Sequence, residues 1–290
     1  MKKTIRLVTA LLLVLALSMA TLVGCGDNSD ENAGGSDTTA EPTREADAAD
    51  DGTSAGDGAS TDDGASVDDG ASVDDGVSAD VMTHEEYMAA DLDSQVVIET
   101  YVQAKQSWWE DKATVYGQSE DGAYFLYNMA CSEEDYAKLE VGTKIRVTGF
   151  KSEWSGEVEI TDAIFEILDG RYVAEPTDVT SLLGTDELID HQNEFVSFKG
   201  MTVEAAADGN DAAFLYNWDG SGEDGNDLYF NVSLNGETYT FTVESYLCDN
   251  TTEVYSAVKN LQIGDVIDME GFLYWYEGVN PHITSVTAAQ

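Results

Sequence analysis

The chain has 290 residues, of which 57 are acidic and 13 basic, for a net charge of −44. The acidity is not confined to a tail: from Val81 to Gln290, 40 acidic residues face nine basic ones, a net charge of −31. Nucleic-acid binding rests on Lys and Arg neutralising phosphates, and anionic lipid attracts basic segments, so this balance predicts no nucleic-acid partner and no adhesion of the domain surface to acidic lipid.

Lys2, Lys3 and Arg6 precede an apolar run from Leu7 to Val23 that ends in Gly24 and Cys25. A basic head, an apolar middle and a small residue at the end are the layout of a secretory signal. The run alone approaches the length of a short membrane span, but the polar tract that follows favours cleavage. Leu22-Val23-Gly24-Cys25 resembles the lipobox of bacterial membrane lipoproteins. The resemblance implies a signal peptide over 1–24, lipidation of Cys25 as the mature N-terminus, and an anchor on the extracytoplasmic face of a bacterial cell membrane.

Residues 25–80 are Gly, Ser, Asp, Ala and Thr with few large apolar side chains. Such a segment buries too little surface to offset its ordering entropy. A six-residue period runs through Asp62, Asp68, Asp74 and Asp80, but a hexapeptide β-helix needs an aliphatic residue in every turn, and only Val67 and Val73 fall in step. The segment is predicted to be a disordered tether, spanning about 40 Å as a flexible coil.

From residue 81 onward alternation appears, and two repeats are expected, over 81–175 and 176–290. Thr83 with Glu86 is a capping box for a helix over 84–90. Strands follow over 96–103, 113–117 and 123–128, then a helix over 133–139 and a hairpin of 143–151 with 157–168. The second repeat reads as strands over 195–203, 212–217, 228–234 and 237–246, a helix over 253–261, and strands over 266–276 and 282–287. Asn235-Gly236 is a hairpin turn signal. Val141 to Phe150 matches Ile263 to Phe272 in its apolar, Gly and Phe positions, and Phe125-Leu126-Tyr127-Asn128 recurs as Phe214-Leu215-Tyr216-Asn217.

Three strands, a helix and two strands is the order of an OB-type barrel, and mid-strand Gly149 and Gly271 suit sharp bends at barrel corners. The predicted fold is mainly β: two tandem OB-like five-stranded barrels, each with a short helix. Residues 81–290 resemble the tandem OB-like domains of exported bacterial lipoproteins.

Catalytic chemistry is sparse. His84, His191 and His282 have no metal-ligand spacing. The Gly52–Gly56 match to a nucleophile elbow lacks the strand and helix that motif requires. Ser256-Ala257-Val258-Lys259 lacks the companion motifs of acyl-transfer enzymes. The chain is therefore expected not to be an enzyme. Cys131 and Cys248 could pair, since export permits disulfides, or remain separate buried thiols, each at the same place in its own repeat.

OB barrels bind ligands on the face of strands 2 and 3 and with the loops after strands 1 and 4. Trp108 and Trp109 fall in the first such loop, and Trp154, Trp275 and Tyr276 in the second loop of each repeat. These rings read either as a stacking platform for a glycan or as plugs of the barrel ends or of the domain interface. A structural lipoprotein engaging another envelope protein is the accompanying alternative. The acidic loop with Asp219, Glu223, Asp224 and Asp227 is a candidate calcium site, since calcium takes six to eight oxygens from such loops. It is not an EF-hand, because Asp224 stands where that motif needs glycine. A solvated hairpin loop is the other reading. No further cofactor is expected.

Overall fold

A computed structural model describes residues 80–209 and 211–289. The signal sequence, Cys25 and the tether up to residue 79 lie outside the described residues.

The first barrel consists of β1 (Gln95–Lys105), β2 (Lys112–Ser119), β3 (Gly122–Ala130), β4 (Thr143–Trp154) and β5 (Glu157–Arg171), closed in the order β1-β2-β3-β5-β4. Helix α1 (His84–Ala89) opens on the Thr83–Glu86 capping box, and Ser132 caps α2 (Glu133–Lys138). Inward positions of the strands bury Val96, Ile98, Val115, Leu126, Ile145, Val147 and Ile160, with Tyr87 of α1 packed on the same cluster. Each such side chain contributes roughly 1.5–3 kcal/mol when fully buried.

The second half begins with β6 (Thr177–Asp178) and two 3-10 turns, Thr180–Leu182 and Asp186–His191. Then come β7 (Phe195–Glu204), β8 (Leu215–Tyr216), β9 (Leu228–Leu234), β10 (Glu237–Val243), α3 (Glu253–Lys259), β11 (Val266–Phe272) and β12 (His282–Ala288). The pairing of β7 with β9 closes a second ring, β7-β9-β10-β12-β11. It has the strand order of the first barrel, and in both rings the third and fifth strands run parallel.

Gly149 and Gly271 mark the bends, as predicted. The register shifts at Gly149 in the β4–β5 pair and at Gly271 in the β11–β12 pair. A side chain at Gly149 would sit 2.7 Å from Ile160 Cγ2, and one at Gly271 would meet the His282 carbonyl oxygen. Only glycine lets the paired strand come this close.

One predicted equivalence is corrected. Phe125–Asn128 lies in β3, but Phe214–Asn217 holds only the two-residue β8, an edge pairing beside β9. The true counterpart of β3 is β10. The shared tetrapeptide carries a local feature instead: Asn128 and Asn217 both take left-handed backbone, with φ of 50° and 56°. Cys131 and Cys248 do occupy matching places, each between a third strand and its helix, and both are free and buried. Burial pushes the Cys131 thiol up to about 11 and the Cys248 thiol up to about 12.

Candidate ligand-binding surfaces

Side chains alternate across β2 and β3. Val115 and Leu126 enter the first core, so Tyr116, Gln118 and Phe125 stand on the outer face. That is the face on which OB barrels bind, and here the second barrel covers it. Tyr116 stacks on Phe272 with ring centres 4.3 Å apart, and Phe125 meets Tyr274 edge-on at 5.3 Å. The Tyr116 hydroxyl and His282 Nδ1 share a buried hydrogen bond of 2.7 Å. Burial lowers the His282 ring to about 3, so it is neutral at physiological pH. Gln118 Oε1 accepts from the Phe195 backbone N–H at 2.7 Å.

The loops close the same seam. The turn between β4 and β5 meets residues 273–281: the Glu277 N–H donates to the Ser155 carbonyl at 2.7 Å, and the Trp275 N–H to Glu157 Oε2 at 2.9 Å. Gln192 Nε2 donates to the Gly156 carbonyl at 2.8 Å. On the other side, Gln106 Nε2 donates to Glu244 Oε2 at 3.1 Å and the Ser107 N–H to the Tyr246 carbonyl at 2.7 Å. Both seam carboxylates are buried, which raises Glu157 well above the usual range and Glu244 to about 8.

The predicted aromatic platform is thus divided. Trp154, Trp275 and Tyr276 do come together, with Trp154 and Tyr276 ring centres 5.1 Å apart, but they are half-buried in the seam between barrels. Trp275 also packs against the second core. Trp108 is half-buried, and its indole N–H donates to the Cys131 carbonyl at 2.9 Å. Trp109 alone of the five presents an open ring, 61% exposed. Sequence reasoning missed Tyr116, Phe125, Glu157, Glu244 and His282 as members of this seam.

The acidic loop is not gathered into a cation cradle. Asp219 Oδ1 accepts from the Ser221 N–H, Asp227 Oδ1 from the Ser245 N–H, and Asp224 pairs with Lys259. Glu223 enters through its backbone N–H, which donates to Asn226 Oδ1. Asp224 and Asp227 thus engage partners outside the loop, Lys259 and Ser245, while Asp219 holds a turn within it. Among the described residues no group of three or more His, Cys, Asp or Glu could hold a metal ion.

A shallow groove of about 360 Å³ opens between the end of β3 and the middle of β5. The β3–β5 pairing ends at Leu126 and Ile160. Beyond it the two strands part, leaving a gap lined by Asn128, Asp162 and Ile164. Glu110, Asp111 and Lys112 form the adjoining wall, and Trp109 pairs with Lys112 across that turn. Ile164 is 62% exposed. Asn128 Oδ1 meets the Thr114 hydroxyl, while its amide nitrogen donates no hydrogen bond among the described residues. A second groove, of about 290 Å³, lies among α3, β11 and β12, with Leu261, Val266 and Val286 in its lining.

No family model matches the chain, and no curated protein matches it. Among solved structures it is similar to a murine DNA-binding protein bound to double-stranded DNA, at 11% identity and a TM-score of 0.33, over 67% of this chain and 96% of that one. The HINa domain of Ifi202 in complex with 20-base-pair DNA matches at 10% identity and a TM-score of 0.31, over 68% and 100%. A deletion mutant of the single-stranded DNA-binding protein of Thermus aquaticus matches at 16% and 0.22, over 70% and 97%. These proteins are described as DNA-binding or DNA-bound, so the exclusion of nucleic acid drawn from charge is withdrawn. Net charge is a sum over the whole chain and does not fix the potential at any one face. At such identities and scores the matches themselves assign no ligand to this chain.

Proposed function

We propose that the chain is a lipid-anchored, non-catalytic binding protein on the extracytoplasmic face of a bacterial membrane. Lipidated Cys25 holds it, residues 25–80 act as a tether, and the two barrels form a binding head whose ligand is a glycan. The observation that carries this reading is the covered face of barrel one. With β2 and β3 turned toward the second barrel, the indole of Trp109, on the loop after β1, is an aromatic surface left open for binding. An indole stacks on the apolar face of a neutral sugar without needing positive charge, which suits an acidic head.

A second reading, an assembly lipoprotein that engages another envelope protein, draws on the use of Trp154, Trp275 and Tyr276 as internal packing. Two experiments test the proposal. Mature chain applied to a broad glycan array, with calcium and with a chelator, is expected to give a reproducible hit insensitive to chelation. A blank array beside capture of one envelope protein would favour the second reading. Metabolic labelling with a fatty-acid analogue is expected to mark the wild-type chain and leave Cys25→Ser unlabelled; equal labelling of both would remove the anchor.

A further inference from the structure

Each barrel places one buried acid against donors of the other. Glu157 opens β5 in the first barrel and is fully buried; its Oε2 accepts from the Trp275 N–H and from Gln192 Nε2, both in the second half. Glu244 follows β10 in the second barrel, is 9% exposed, and accepts from Gln106 Nε2 of the first. Glu157 is also faced by the Asn193 side chain and by the carboxyl of Glu159, which is buried too. Glu244 is faced by Asp227 and by the N–H groups of Tyr246 and Leu247. Tyr116 lies within electrostatic reach of both acids, Tyr87 of Glu157 and Cys248 of Glu244. None of these groups is a lysine or arginine. Among the described residues, Glu157 Oε1 and Asn193 Oδ1 are buried without a hydrogen-bond partner.

A carboxylate buried without a cation is costly, and the group keeps its proton instead. Protonation also turns an acceptor-only carboxylate into a donor, which suits an Oε1 that has no donor to accept from. The other polar links across the seam are neutral: Tyr116 with His282, and Gln118 with the Phe195 N–H. Burial keeps the His282 ring neutral and the Tyr116 hydroxyl protonated, so neither changes charge between pH 6 and pH 9. The barrels have separate hydrophobic cores, and the chain between Arg171 and Thr177 joins them covalently. The seam can therefore open while both barrels stay folded.

We propose that the seam is a pH-released latch: with Glu157 and Glu244 protonated the second barrel lies on β2 and β3, and with both ionised the barrels part and uncover Tyr116 and Phe125. The sign follows from burial. The closed form holds the protons more tightly than the open one, so it is favoured at low pH and is lost as pH rises through about 8, where Glu244 titrates. That range lies above the ordinary histidine value, and the His84 ring is lowered further still, so His84 does not set it. The latch is independent of what the head binds.

Hydroxyl-radical footprinting of the full mature chain at pH 6 and pH 9 reads exposure residue by residue. Oxidation of Tyr116 and Phe125, normalised to the exposed Met88, is expected to rise severalfold at pH 9. Met129 in the first core and Met269 in the second are expected to stay protected at both. The double variant Glu157→Gln with Glu244→Gln keeps the side-chain shapes and removes both titrations; it is expected to hold Tyr116 protected at pH 9. Thermal melts at pH 6 check that it folds; if it does not, Glu244→Gln alone is expected to move the rise to higher pH. Equal protection of Tyr116 at both pH values in the wild-type chain would overturn the latch. Oxidation of Met129 or Met269 together with Tyr116 would overturn it in favour of unfolding. A rise undiminished in the variants would overturn its assignment to these two acids.

Discussion

Glu244 sits between the barrels, accepting from Gln106 Nε2 and from the Tyr246 N–H, with Asp227 as a charged neighbour. Burial raises it to about 8 from an ordinary value of 4.5. Its proton is therefore held more tightly in the folded state than in the unfolded one. The stability it contributes is full below about pH 4.5 and is lost as pH climbs toward and through 8. Glu157 acts in the same direction. Denaturant titrations at pH 5.5 and 8.5 should show the protein less stable at the higher pH, by an amount on the order of a few kcal/mol. Glu244→Gln should flatten that dependence; an unchanged slope would show that the proton lies elsewhere. A neighbouring test is Tyr116→Phe, which strands His282 Nδ1 in a buried site and should cost about 1–3 kcal/mol, read from the urea midpoint.

At the scale of elements, the tight approach at β11–β12 predicts that Gly271→Ala is costly. Its new methyl group meets backbone, which cannot rotate away, so a loss of about 1–3 kcal/mol or more is expected from chemical denaturation. The strands and helices around it were legible in the sequence because burial alternates along them and because Thr83, Ser132, Asn235-Gly236 and the corner glycines are local signals. What escaped notice has a physical reason too. Phe214–Asn217 copies the strand-then-left-handed-Asn pattern of Phe125–Asn128, and nothing in a tetrapeptide tells which neighbour a strand will find. The outward rings of β2 and β3 gave no periodic signal of their own, since a face buried by another domain reads like a face prepared for a ligand. Trp154 separates the two: at the seam, Trp154→Ala should lower stability measurably while leaving ligand affinity within twofold, whereas a platform residue would do the reverse.

At the scale of the molecule, aromatic stacking, the Tyr116–His282 bond and two buried carboxylates join the barrels. The two should unfold as one cooperative unit, with coincident transitions by tryptophan fluorescence and far-ultraviolet circular dichroism; two resolved transitions would mean that the seam is weak. The same body carries −31 from Val81 to Gln290. Self-repulsion of that size destabilises a compact state and is screened by salt. Raising sodium chloride from about 10 mM to about 150 mM shortens the screening length from about 30 Å to about 8 Å and should raise the melting temperature. The basic groups nearest to forming a local patch do not soften this field: Lys144 and Arg146 both pair with Glu99, and Lys151 Nζ donates to the Met88 and Ala90 carbonyls.

Tyr116 and the histidine it meets are 166 residues apart in the chain. The first barrel ends at Arg171 and the shielding strand begins at His282, so at a synthesis rate of about 5–20 residues per second the barrel is complete roughly 6–22 s before that strand exists. For that interval the newborn molecule displays Tyr116 and Phe125 to whatever surrounds it. The hazard in this protein's life is thus one of timing: its stickiest surface is exposed only while it is being made, and a chain stopped between the barrels would keep that surface for good.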